Sequence, residues 1–166
     1  MSEFINNWGL VQKNVTLQNL IKLHEYLVDD SNYVQQGGFG DISEIDIDQT
    51  QLFPLAFLSI ENTAFTKREL TYNFRLYVMD LVSKDESNEN DVLSDTLQYV
   101  GDYVSLYRHG FTATGISYDM EYDFRMNDNV SCEPFTERFD SQVSGWAVNF
   151  SITVSWTAGA CSGETM

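Results

Sequence analysis

The sequence predicts an α+β domain: a mainly antiparallel sheet with two helices packed on one of its faces. Three observations carry this. Residues 143–156, VSGWAVNFSITVSW, place Trp146, Val148, Phe150, Ile152, Val154 and Trp156 on every second position, between Ala147, Asn149, Ser151, Thr153 and Ser155. Residues 69–82, ELTYNFRLYVMDLV, do the same with Leu70, Tyr72, Phe74, Leu76 and Val78 against Thr71, Asn73, Arg75, Tyr77 and Met79. Side chains alternate across a strand with period two, so each stretch is a strand with one apolar face. Third, the helical stretches do not alternate one for one with the strands. The order is helix, strands, helix, strands, which selects α+β over a parallel α/β sheet. Fourteen residues at ~3.3 Å each reach about 46 Å, while a domain of this length is about 40 Å across. Both strands therefore span the body, and Gly145 is the predicted site of a bulge that bends the last one.

The 166 residues suit a single domain, with an N-terminal arm over 1–14 and a flexible C-terminal tail over 158–166. Hydrophobic residues make up 43% of the chain, enough for a globular core. Lys plus Arg number 9 against 25 Asp plus Glu, a net charge of −16. That balance opposes a direct grip on nucleic acid phosphates and on an anionic membrane. No apolar run approaches the ~20 residues of a membrane span. The start, MSEFINNWGL, lacks the basic and apolar regions of a secretory signal, so none is expected. Cys132 and Cys161 have no partner at zinc-ligand spacing and are expected to be free thiols in a reducing cytoplasm.

In chain order, the arm carries Trp8, whose aromatic bulk suggests docking on this subunit or a neighbour. A first helix is predicted over 17–29, with Thr16 as N-cap and Leu17, Leu20, Ile21, His24, Leu27 and Val28 on one face. Its end, Asp29-Asp30-Ser31-Asn32, sets acids against the helix dipole. His24 on that apolar face reads as a hydrogen-bonded core histidine. The glycines of GGFG, residues 37–40 around Phe39, suggest a turn or mobile loop, and no P-loop Lys or Ser/Thr follows. Residues 41–48 read as a strand with Ile45 and Ile47 inward. Asp46, Asp48 and Thr50 resemble the start of a calcium loop, but its Gly and closing Glu are replaced by Gln51 and Phe57. FPLAFLSI, 53–60, suits a central strand covered on both faces, with Pro54 at its opening. ENTAFTKR then reads as a linker holding the adjacent cations Lys67 and Arg68.

The second helix is predicted over about 89–108. Val92, Leu93, Leu97, Val100, Tyr103, Val104 and Tyr107 form its buried face, with His109 a helix-end cation and Gly110 its C′ residue. Asp91, Asp95, Gln98 and Asp102 form an acidic stripe opposite. Residues 117–126 alternate again, with Asp119, Glu121 and Asp123 on a charged face. NDNVSCEP reads as a turn-rich loop, and PFTERFD leads into the last strand.

No nucleophile elbow, metal spacing or distinguishable carboxylate pair is present, so no enzymatic activity, cofactor or metal is expected. Other features point to assembly. Tyr77 and Met79 lie on the nominally exposed face of their strand, and Tyr and Met are enriched at interfaces. Long open strand edges invite aggregation unless copies close them. The candidate inter-subunit contacts are Trp8, Phe39, Lys67, Arg68, Arg75, Tyr77 and Met79. The candidate channel-lining acids are Asp91, Asp95, Asp102, Asp119, Glu121 and Asp123. Two alternatives from other classes are an acidic DNA-mimic inhibitor of a host enzyme and a small calcium- or ligand-binding domain using the acids of 41–48.

Over residues 15–156 the pattern resembles the tail-terminator and tail-completion proteins of tailed bacteriophages and related neck-ring, head-to-tail connector proteins. The carrying segments are the helix near VTLQNLIKLHEYL, the Pro-opened strand FPLAFLSI and the long strand ELTYNFRLYVMDLV. They continue with the helix DVLSDTLQYVGDYVSLYR and the last strand FDSQVSGWAVNFSITV, with its Asp and Gly-Trp step. The flavour of the sequence is similar to that of crAss-like phages. The GGFG loop and the acidic 41–48 segment depart from the pattern and leave the position in the neck open. The resemblance implies a structural virion protein in the neck or tail, assembled in the host cytoplasm. It implies a homo-oligomeric ring, hexameric at a tail end or twelvefold nearer a portal. Its partners would be other neck, portal or tail proteins, with no membrane. Genomic DNA would pass through an acidic channel without specific binding.

Overall fold

The computed structural model describes residues 16–41, 52–109, 112–113, 116–117, 125–138 and 142–156. The elements in order are α1 (Leu17–Asp30), β1 (Gln36–Phe39), β2 (Leu55–Phe65), β3 (Glu69–Val82), α2 (Glu89–His109), β4 (Thr112–Ala113), β5 (Ile116–Ser117), β6 (Arg125–Met126), β7 (Ser131–Arg138) and β8 (Gln142–Ser155). The architecture is α+β. Six strands form one sheet in the order β1-β2-β3-β8, and β6 and β7 both pair with the far edge of β8. Only β1–β2 is parallel; the other pairings in this sheet are antiparallel. β4 and β5 form a separate two-stranded pair.

The sheet is built on β3 and β8, which pair without interruption from Glu69↔Ser155 to Val82↔Gln142. The expected bulge at Gly145 is therefore absent. Gly145 instead lets two backbones approach: a Cβ there would sit 1.9 Å from the Val78 carbonyl oxygen. The register shift occurs in β2, between Ile60 and Asn62. It swaps the faces of the residues that follow, and β2 runs on through the segment expected to be a linker, as far as Phe65.

Both helices contribute to the same core as the even-numbered residues of the central strands. Leu20, Leu23, Leu27 and Val28 of α1 and Tyr99, Val100, Tyr103 and Tyr107 of α2 join Tyr72, Phe74, Leu76, Val78, Val148, Phe150, Ile152 and Val154. α1 opens on a capping box: Thr16 Oγ1 accepts from Asn19 N at 3.3 Å, and Asn19 Oδ1 accepts from Thr16 N at 3.0 Å. In α2 the buried stripe is Val92, Thr96, Tyr99, Val100, Tyr103 and Tyr107. Leu97, expected inside, is 40% exposed. Thr96 takes an inside place because its hydroxyl donates to the Val92 carbonyl at 2.7 Å. The predicted C′ residue Gly110 and the side chain of His109 lie outside the described residues.

Two segments expected to be loops are strands. Gln36–Phe39 pairs in parallel with Leu55–Leu58. Its glycines serve close packing, since a Cβ at Gly37 or Gly38 would lie 2.8 Å from Val28 or 2.9 Å from Phe57 side-chain atoms. Ser131–Arg138 pairs along β8 with Pro134 opposite Trp146. No strand pairs the outer side of β7 among the described residues, and an edge position tolerates the missing proline N–H. Cys132 thus lies in a strand, half-buried and free. Most of the predicted 117–126 strand, the 41–48 strand with its calcium-loop-like acids, the arm, the tail and Cys161 lie outside the described residues.

Candidate functional site

His24 sits at the junction of the two helices and β2, fully buried. Its Nε2 lies 3.2 Å from the Ala56 carbonyl oxygen, an acceptor only, so Nε2 carries the proton and donates. Nδ1 then accepts from the Tyr103 hydroxyl at 2.8 Å, and Tyr107 is positioned behind Tyr103 at 3.4 Å. Burial pushes the imidazole down to about 4, with the Ala56 and Gly38 backbone contacts opposing it. The neutral ring is a structural tie between layers, as the sequence suggested.

Beside this tie, the end of α1, the turn that follows it and α2 line a cleft of about 550 Å³. Ser31 shapes one wall. Its Oγ accepts from the backbone N–H groups of Tyr33 and Val34 at 3.0 and 3.1 Å, turning the chain out of α1. That turn lays Tyr33 against Tyr99 of α2, ring centroids 6.2 Å apart. Both hydroxyls are buried without a hydrogen-bond partner among the described residues. Burial pushes the pKa of both tyrosines up. The carboxylates of Asp80 and Asp95 add to this at Tyr33, and neighbouring Tyr107 and the Asp102 carboxylate at Tyr99, so both hydroxyls stay protonated. Asp30, Asp95 and Asp102 complete the lining. Carboxylates beside aromatic faces suit a cationic group. Among the described residues no cluster of His, Cys, Asp and Glu is placed to hold a metal ion.

Among the described residues the opposite face of the sheet carries no helix. Thr71 and Thr153 meet at 3.1 Å, Ser151 donates to Asn73, and Asn73 donates to Asn62 at 2.6 Å. Arg75 donates to Asn149 at 3.1 Å, pairs with Glu133 at 3.6 Å and lies 5.6 Å over the Tyr77 ring. The Thr71–Thr153, Asn73–Ser151, Asn73–Asn62 and Arg75–Asn149 contacts join direct cross-strand partners and form a polar ladder across this face. At its far end a small apolar cluster of Leu55, Met79 and Val143 is packed by Phe53, Tyr77 and Phe135.

This places the predicted contact residues. Met79 is a correction: it is 2% exposed, sealed by that cluster, because β7 brings Phe135 opposite Gly145 over it. Tyr77 is half-buried against Phe135. Phe39 ends β1 and packs half-buried against the main core. Lys67 and Arg68 are exposed at the tip of the β2–β3 hairpin, which closes through Thr66 N donating to Glu69 O at 2.8 Å. Trp8 lies outside the described residues. Of the channel candidates, Asp91, Asp95 and Asp102 are exposed on α2, the latter two lining the cleft. Asp119, Glu121 and Asp123 lie outside the described residues. Sequence reasoning missed the cleft itself. Its signal was two acidic sets, Asp29-Asp30 closing one helix and Asp95 and Asp102 on the other, which converge once the helices are neighbours.

The hairpin leaves the body differently from the rest of the sheet. β1 pairs only with Leu55–Leu58, so among the described residues the outer edge of β2 from 59 to 65 has no strand partner. Residues 61–65 are exposed, Phe65 by 65%. No helix among the described residues is long and apolar enough to cross a membrane. No protein-family model matches the chain, and no curated protein matches it significantly.

Proposed function

We propose that this chain is a structural virion subunit that closes into a ring in the neck or at the tail end of a tailed bacteriophage. There it would join head or portal to tail around the DNA path. The observation that carries this reading is the edge of β2 over residues 59–65, which has no strand partner among the described residues, on a hairpin that also exposes Phe65. A strand edge of that length, where no other strand of the chain covers it, offers backbone donors and acceptors as a template for another copy. A copy that offers this edge and receives its neighbour elsewhere makes a heterologous contact, which closes into a ring when the rotation allows. The segment order, with its Pro-opened strand and its long final strand after a Gly-Trp step, supports the phage neck or tail as the setting. The charge of −16 suits a wall that DNA slides past.

The test is mass photometry of the purified full chain across protein and salt concentrations, with negative-stain imaging of any large species. Closed rings support the proposal. A monomer under every condition counts against it.

A further inference from the structure

Resting on the ring reading, we infer that the cleft between α1 and α2 is the socket for the Lys67–Arg68 hairpin tip of a neighbouring copy of this chain. The cleft is built for a cation. Asp30, Asp95 and Asp102 line it, with Tyr33 and Tyr99 between them. Tyr99 is 8% exposed, and its hydroxyl has no partner among the described residues. About 550 Å³ lies within the roughly 300–1,000 Å³ of sites that enclose a compact organic group. A guanidinium satisfies such a lining well: it forks onto carboxylates, stacks on aromatic rings and donates to hydroxyl oxygens. An ammonium beside it supplies a second charge.

Three of the described arginines are already engaged. Arg75 pairs with Glu133, Arg125 with Glu69 at 3.2 Å, and Arg108 donates to the Asp128 carbonyl at 2.6 Å. Lys67 and Arg68 are adjacent and exposed, and their side chains have no partner among the described residues. Lys22 and Lys84 are exposed as well, but Lys67 and Arg68 are the one adjacent pair of cations in the sequence, matched by an acidic cleft of the same molecule.

The two features do not meet within one copy. The tip immediately precedes Glu69, whereas Asp95 lies within electrostatic reach of Asp80 at the other end of β3. The eleven intervening steps of strand span ~36 Å. A plug at one end and a socket toward the other make a head-to-tail contact, the kind that repeats around a ring. Asp95 and Asp102 then serve the joint between copies, and the wall of any channel falls to other acids.

The experiment uses the full chain in two charge-reversed forms, Lys67→Glu with Arg68→Glu, and Asp95→Lys with Asp102→Lys. All four positions are exposed, and thermal melting verifies that the fold is kept. Each form alone should assemble at least about tenfold less readily than the parent. Mixed together they should recover rings, because each reversed tip meets a reversed cleft and each native tip a native cleft. Such rings alternate the two forms and hold even copy numbers only. Zero-length carbodiimide cross-linking of mixed light and heavy-isotope parent protein gives a second readout that needs no variant. A mixed-isotope link from Lys67 to Asp95 or Asp102 is expected. Parent rings with unimpaired variants, or with no recovery on mixing, overturn the socket and leave the ring reading standing. A parent chain that never assembles overturns both.

Discussion

The two faces of β3 and β8 are made of the same strands in the same register, yet they do different work. Toward the helices, Leu70, Tyr72, Phe74 and Leu76 meet Val154, Ile152, Phe150 and Val148, and all eight are buried. Away from them, Thr71, Asn73, Arg75 and Tyr77 meet Ala147, Asn149, Ser151 and Thr153 in a mostly polar ladder whose members bond each other directly. Apolar burial contributes roughly 25 cal/mol per Å², while each exposed polar pair contributes little net. The sealed face therefore supplies stability. The ladder fixes register on a half-buried polar face that no helix covers among the described residues. The difference teaches that period-two alternation encodes two separate tasks, one per face.

The comparison breaks most sharply at Gly145, where the backbones are too close for any side chain. Gly145→Val should cost more than about 4 kcal/mol, read as loss of a cooperative thermal transition. A variant that melts like the parent would mean that β3 and β8 do not approach as described. Next, Phe150→Ala on the sealed face should cost about 3–5 kcal/mol in urea unfolding.

Acid attacks the sealed side through His24. Its folded pKa is lowered to about 4 from 6.5, so the unfolded chain binds the proton first as pH falls. The tie's contribution is intact above pH 6.5 and declines on acidification down to about pH 4, by ~3 kcal/mol. Urea midpoints across that window, compared with those of His24→Gln, isolate the effect; a parallel decline in both would assign it elsewhere. Thr16→Ala, removing the α1 cap, should cost about 1 kcal/mol by the same assay. Smallest is Arg75→Ala on the bare face, expected below about 1 kcal/mol because Glu133 is exposed and solvent screens the pair. Equal losses at Phe150 and Arg75 would erase the distinction between the faces.

What was legible followed the strength of the pattern. Strand 69–82 was readable to the residue, and the last strand to one residue, because long alternation leaves no other register for the apolar side chains. Thr16 declared its cap. Strand β7 was hidden: Pro134 and the turn-like residues ahead of it signal a loop, and only an edge position reconciles them with pairing. β1 was hidden because glycine normally weakens strands, and the need for close contact with Val28 and Phe57 is set by tertiary packing. The bulge at Ile60/Asn62 swaps faces mid-strand, so the apolar run ended before the strand did. On α2, Tyr99 rather than Leu97 turned inward, a shift of the buried stripe that helical spacing alone does not resolve. The cleft was least legible, since it depends on how the end of α1 and the turn at Ser31 are set beside α2, which no local pattern records.

The central claim is that the hairpin edge and the interhelical cleft are assembly surfaces, while the helix-covered core serves only the fold. Amide hydrogen exchange of the full chain, compared between dilute and concentrated samples, tests it directly. The account predicts new protection at residues 59–68, and at Tyr33 and the cleft side of α2, with the core amides of β3 and β8 unchanged. Identical exchange at every concentration, or protection gained in regions other than these, would contradict it.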